Sequence, residues 1–282
     1  MISMADTLLA IPFSIPILGE AFTSVGNPLI VSTLDFFVQV GVTKEESKDL
    51  DVPLHSPPLR HAIEGYLRSR GISGKFSISS NIEEKTERDF LGTASLLFLS
   101  GMKGAESAVP VLLSRVEGKA FITLARALTS ISGGFVVCRR GEGLISLEGG
   151  IDASVHLRIR HKGRAVQRVL NSFSESFPEL ASPLWHLLGH LVLEGGKAIR
   201  GNNAPTLGKL ISLEGALAHS IGLTGLRDLN RVARLRPSYG GKPICSEVFM
   251  GELILAPKET LPLTSYDRFR FTSSGVREVG SS

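Results

Sequence analysis

The order of predicted elements places this chain in the α+β class, as two layered halves rather than a doubly wound parallel sheet. Three observations carry that reading. The chain opens with two apolar strand-like runs, Leu9–Gly19 and Leu29–Val40. Its second half is rich in helical patterns from Arg164 to Leu235 and closes with one strand, Gly251–Pro257. Between them Gly149-Gly150 marks the best candidate boundary.

Taken in order, Leu9–Gly19 is dense in Ile, Leu and Phe but carries Pro12 and Pro16. Prolines cannot donate to a ladder, so this run predicts an edge or bent strand. Leu29–Val40 is β-branched and aromatic, the composition of a strong strand. Pro58–Arg70 predicts an amphipathic helix, with Leu59, Ile63 and Leu67 on one face. Phe76–Ser80 alternates as a strand should. Ala108–Arg115 and Gly118–Leu128 read as helices, and Phe135–Cys138 and Leu144–Leu147 as a hairpin around Gly141–Gly143. Val155–Ile159 is a strand. Helices follow over Arg164–Phe173, Pro183–Ile199, Ala204–Ile221 and Leu226–Leu235. Gly240-Gly241 reads as a turn. The resulting organisation is 1–150, 151–264 and a polar tail, 265–282, which is expected to fray.

Composition bounds the partners. The 282 residues are 43% apolar and 21% charged, as in globular proteins. A net charge of +4 with scattered basic residues suits a small anionic ligand and gives no footprint for nucleic acid. No apolar run is long enough to span a membrane. The apolar N-terminus lacks a basic leader, so a cytoplasmic location is expected. Only two cysteines occur, Cys138 and Cys245, so neither a disulfide framework nor a zinc spacing is present. Glutamine occurs only at Gln39 and Gln167, a composition that suits a thermophilic source.

Phe76–Ser100 reads as strand, loop and helix, with Asn81–Asp89 as the loop and the helix from Thr93. A loop that feeds a helix N-terminus offers unpaired N–H groups and a favourable dipole to an anion.

Three stretches together resemble the GHMP kinase superfamily. Residues 11–31, IPFSIPILGEAFTSVGNPLIV, are similar to its N-terminal signature. FLGTAS, Phe90–Ser95, resembles its glycine- and serine-rich phosphate loop. Leu207–Pro257 resembles its C-terminal helix pair and glycine-rich segment. Ala125–Val137 is also similar to the decarboxylase branch. The resemblance implies a two-domain fold: an N-terminal domain like ribosomal protein S5 domain 2, and a ferredoxin-like C-terminal sandwich. It implies an ATP-dependent kinase or related decarboxylase, with Mg²⁺, acting on a small anionic substrate, in mevalonate or isoprenoid metabolism. A second copy of the chain is the expected partner.

Carried over residue by residue, the resemblance places Ser14 where the kinases have a Lys, Phe90 at the first loop glycine, and Arg126 where an Asp is expected. Gly92, Thr93, Ala94 and Ser95 would hold nucleotide, with Ser95 also near Mg²⁺ and Ser130 beside the cleft. Glu117 would bind metal, and Glu247 is the nearest acid in the C-terminal glycine segment. A Phe at the first loop position hinders backbone approach to phosphates, which is the reason such loops use Gly. Arg126 would bind a substrate anion bidentately, or lie on a helix surface. Two function classes remain open. One is an active ATP-dependent enzyme with the acceptor in the cleft between halves near Ser14, Arg126 and Ser130, in which Thr93, Ser95, Glu117 or Glu247 takes over the lost roles. The other is a non-catalytic or repurposed GHMP-fold protein that binds a metabolite or protein.

Other signals are weaker. His186 and His190 stand one turn apart but lack the Glu of an HExxH motif. Glu83, Glu84 and Glu87 read as a solvated face or an Mg²⁺ site. Lys103, Lys119 and Lys242 are isolated cations that could reach phosphate, and Arg158, Arg160 and Lys162 alternate along one strand face.

Overall fold

The computed structural model describes residues 5–102, 107–160, 165–235, 238–248, 250–260 and 262–281. Two sheets are packed with helices, as the α+β reading expects. The first is seven-stranded. Its main path runs β11 (Arg277–Ser281), β1 (Ala5–Leu18), β2 (Leu29–Glu45), β4 (Gly74–Ser80) and β3 (Leu50–Asp51). A hairpin of β5 (Phe135–Arg139) and β6 (Gly143–Leu147) branches off β2. The second sheet has the order β10 (Asp267–Arg270), β7 (Ser154–Arg160), β9 (Met250–Ala256) and β8 (Gly240–Cys245).

Helices α1 (Pro57–Ser69), α2 (Lys85–Leu99), α3 (Ala108–Ser114) and α4 (Gly118–Ser132) fall in the first half of the chain. Helices α5 (Val166–Ser176), α6 (Pro178–Arg200), α7 (Ala204–Ser220) and α8 (Leu226–Ala233) fall in the second. The prediction of α1 rests on its apolar stripe, and Leu59, Ile63 and Leu67 are indeed buried. Asp89 on α2 accepts from the backbone N–H groups of His55 and Ser56 at 2.6 and 3.0 Å, closing the N-terminus of α1.

Three local expectations are corrected and one is met in part. β1 is flanked by both β11 and β2 only over Thr7–Ala10; from Ile11 to Leu18 it pairs with β2 alone, the edge or bent course that its prolines predict. Its prolines are tolerated because β11 pairs only with Thr7–Ala10. Pro12 and Pro16 lie beyond that ladder, at irregularities in the β2 register. The tail does not fray: β10 pairs with β7, β11 pairs with β1, the Thr272 N–H donates to the Thr33 carbonyl, and Thr33 Oγ1 donates to the Thr272 carbonyl. Polar composition hid this, because a short edge strand has only one neighbour to satisfy. Gly240-Gly241 begins strand β8 rather than a turn. Gly240 allows close packing on α7, since a Cβ there would sit 1.9 Å from the Gly208 carbonyl oxygen, and Gly241 allows close packing on β9 and α8, where a Cβ would lie 2.7 Å from the Leu253 carbonyl oxygen and from Val232. Finally, α2 starts at Lys85, eight residues before the expected Thr93.

The tail therefore stitches the two sheets together. Truncation after Tyr266 is expected to lower the melting temperature by at least about 5 °C and to promote self-association through the uncovered β1 edge. Thermal melts and size-exclusion chromatography test this; an unchanged melt would mean the strands contribute nothing.

Candidate functional site

Ser14, Arg126, Ser130 and Phe90 lie near one another inside the core. Arg126 is completely buried. Its guanidinium forms a bidentate pair with Glu87 of α2, Nη1–Oε1 2.8 Å and Nη2–Oε2 2.7 Å. Its Nε donates to the Ser14 carbonyl at 2.8 Å. Its Cζ lies 4.3 Å from the Phe90 ring centroid and 4.9 Å from that of Phe13, so the charge rests against two aromatic rings that meet each other edge to face. Ser14 Oγ returns a hydrogen bond to the Arg126 carbonyl at 2.9 Å, and Ser130 Oγ donates to the Pro12 carbonyl at 2.8 Å. The polar groups of β1, α2 and α4 thus satisfy one another. Arg126 is neither a surface residue nor an open anion clamp.

The nucleotide-loop candidates are placed differently. Gly92, Thr93, Ala94 and Ser95 lie in the middle of α2 and are buried. Gly92 serves helix packing: a Cβ there would meet Leu54 at 2.9 Å and Ile78 at 3.1 Å. Ser95 Oγ donates to the Leu91 carbonyl one turn back, and Thr93 Oγ1 is buried without a hydrogen bond. The segment that actually precedes the helix is Ser80–Glu84. There Glu84 is the N-cap, its carboxylate accepting from the Glu87 N–H at 2.8 Å. The positive end of the helix dipole already faces a carboxylate of the chain, which opposes a phosphate.

Glu117 and Glu247 come together at a separate place, the N-terminus of α4. Glu117 is its N-cap residue, is exposed and pairs with Arg140. Glu247 packs so closely on Gly118 that a Cβ there would lie 2.3 Å from its Oε2. Eight residues of helix, about 12 Å, separate this end from Arg126. Among the described residues no group of three or more His, Cys, Asp or Glu is arranged to hold a metal. ATP and Mg²⁺ do not fit the residues at α2.

A second buried cluster has no local signature in the sequence. Lys242 of β8 donates to Glu20 at 2.6 Å and to Glu214 of α7 at 2.7 Å, and Glu214 accepts from the Gly19 N–H at 2.7 Å. All three side chains are buried. Gly19, with φ +88°, turns the chain into the short 3-10 helix Glu20–Val25; a Cβ would sit 2.2 Å from the Pro28 carbonyl. Burial pushes the Glu20 carboxyl up to about 7, with Lys242 opposing and Glu214 reinforcing the shift. Lys242 is thus a junction between β1 and the second sheet, not a phosphate ligand. The Gly-Glu pair was visible in the sequence; its partners lie 194 or more residues away, which no local pattern reveals. Of the remaining cations, Arg158 lies 3.8 Å from buried Glu252, and Lys103 and Lys162 fall outside the described residues.

Two outcomes are expected. Removing one partner of the buried pair, with Arg126→Ala or Glu87→Ala, is expected to cost about 3–5 kcal/mol by urea denaturation, while Arg126→Met with Glu87→Leu recovers most of it. Single variants within about 1 kcal/mol of the parent would mean the pair is solvated. For Glu20, the folded carboxyl lies above its ordinary value of 4.5, so its stabilising contribution is complete below that pH and is lost as pH rises through about 7. The stability–pH profile of Glu20→Gln is expected to be flatter over that window; an identical slope would contradict the assignment.

No protein-family model matches the sequence, and no curated protein matches it. Solved structures do. L. major mevalonate kinase, in complex with R-mevalonate, aligns with a TM-score of 0.64 at 14% identity, over 94% of this chain and 95% of that one. Mevalonate diphosphate decarboxylase from Staphylococcus aureus aligns with a TM-score of 0.66 at 14% identity, over 99% of both. The enzyme from Enterococcus faecalis gives 0.66 at 14%, over 98% and 99%. At these identities the likeness speaks for the fold, and it covers nearly the whole length: the chain has the GHMP kinase fold.

Proposed function

We propose that this chain is a repurposed GHMP-fold protein, one that binds a metabolite or a protein partner and does not transfer a phosphoryl group from ATP. The observation that supports this most is the Arg126–Glu87 pair. Three positions that the resemblance assigns to the kinase site, Ser14, Phe90 and Arg126, converge on one cluster, and that cluster is filled and internally satisfied.

Phosphoryl transfer depends on positioning and on cationic or backbone stabilisation of the transferred group. Opening this cluster to a phosphate would strand a buried charge, at a cost of several kcal/mol. The α2 N-terminus carries Glu84 in place of a phosphate-binding glycine loop. Glu87, which as an acid beside the loop could have served Mg²⁺, is committed to Arg126. Each feature alone could be compensated elsewhere; together they remove the anion site, the metal site and the general base from one place.

A second reading is an active kinase or decarboxylase whose chemistry has moved to the N-terminus of α4. The seat of Glu247 against Gly118, next to the N-cap Glu117, favours it, as does the whole-length likeness to mevalonate kinase and mevalonate diphosphate decarboxylase. Titration calorimetry with Mg-ATP, paired with thermal shift, separates the two readings. A ligand specific to the native state raises its stability. The repurposed reading expects no heat of binding and no shift at millimolar Mg-ATP. Micromolar binding, or turnover of ATP with mevalonate or its phosphates, would favour the second.

A further inference from the structure

A groove lies along α6, on the opposite side of β5 from the buried core. Alternation along β5 sends Val136 and Cys138 inward, where both are fully buried, and turns Val137 and Arg139 toward α6. Two adjoining cavities of about 360 and 480 Å³ share Asn27, Arg139 and His186 as lining. The first has an apolar wall that includes Val137, Ile145 and Leu193; the second reaches Trp185. A volume of this order suits a small ligand, and such sites combine apolar walls with a few fixed polar groups.

The walls are held by specific contacts. Asn27 Nδ2 donates to the Trp185 carbonyl at 3.0 Å, and Arg139 Nε donates to the Gly26 carbonyl at 2.9 Å. Gly189 permits the close approach of α6, since a Cβ there would lie 3.1 Å from Asn27 Oδ1. Ile145 and Leu193 are 61% and 56% exposed, so a ligand that covers them gains from burial. The guanidinium of Arg139 is oriented by Gly26, and its Nη1 meets Glu142 Oε1 at 2.7 Å. Those two side chains are 49% and 62% exposed, and an ion pair so exposed is weak enough to be exchanged for another carboxylate.

We propose that this groove binds a small carboxylate with an apolar body. The ligand carboxylate displaces Glu142 from Arg139, and the apolar body lies on Ile145 and Leu193. Glu142 is then a competitor built into the rim of the site. This inference stands whether or not the chain handles ATP.

Trp185 is the only tryptophan in the chain, so its fluorescence reports on the groove. The full chain is titrated with cyclohexanecarboxylate, with cyclohexylmethanol as the uncharged analogue and acetate as the charge without the body. Saturable quenching or shift by cyclohexanecarboxylate is expected, at least about tenfold tighter than either control. Arg139→Gln is expected to weaken it about tenfold or more, and Glu142→Gln to tighten it several-fold, both with unchanged melting temperature. Equal responses to the three probes, no saturable response, or an Arg139→Gln variant that binds as the parent does would each overturn the proposal.

Discussion

The organisation of the first half turns on one buried ion pair. Arg126 of α4 pairs with Glu87 of α2 and bonds to Ser14 of β1, and its guanidinium rests against Phe13 and Phe90. Such a charge survives burial only when every donor has a partner. That demand fixes the backbone around it. The Ser14 carbonyl must face α4, Glu87 must lie in the first turn of α2, and Ser14 Oγ and Ser130 Oγ must tie β1 to α4. The consequence is functional. The elements that would frame a nucleotide cleft are instead locked to one another through their polar groups.

The second cluster, Lys242 with Glu20 and Glu214, does for the junction of the two halves what Arg126 does within the first. Here one cation serves two carboxylates. Burial is what chiefly raises the Glu20 carboxyl; Lys242 opposes the shift and the second carboxylate, Glu214, adds to it. Both clusters bridge elements distant in sequence. The Arg139 groove lies outside both, on a face where side chains can still exchange partners.

Much of the fold was legible in the sequence, because periodicity reports burial directly. The stripe of Leu59, Ile63 and Leu67 marked α1, and the Gly141–Gly143 turn marked the β5–β6 hairpin. What stayed hidden was non-local. Pro12 and Pro16 mark the part of β1 that pairs with β2 alone, but nothing local foretells that the distant β11 covers Thr7–Ala10. Gly240 looks like a turn residue, and only the approach of α7 explains it. The site shows the same limit. The nearness of Ser14, Arg126 and Ser130 could be anticipated from the resemblance. That a Glu from the supposed solvated run would turn inward and pair with the Arg could not, because side-chain direction in Lys85–Asp89 depends on where α2 begins.

The closed state of this cluster can be measured on a single proton, the Arg126 Nε–H that donates to the Ser14 carbonyl. Its hydrogen exchange, followed by ¹⁵N-edited NMR, reports whether water and ligands reach the pair. A closed cluster predicts strong protection that millimolar Mg-ATP leaves unchanged. Rapid exchange in the free protein, or a change in exchange or chemical shift on adding nucleotide, would contradict it and return the Arg126 site to the list of working clefts.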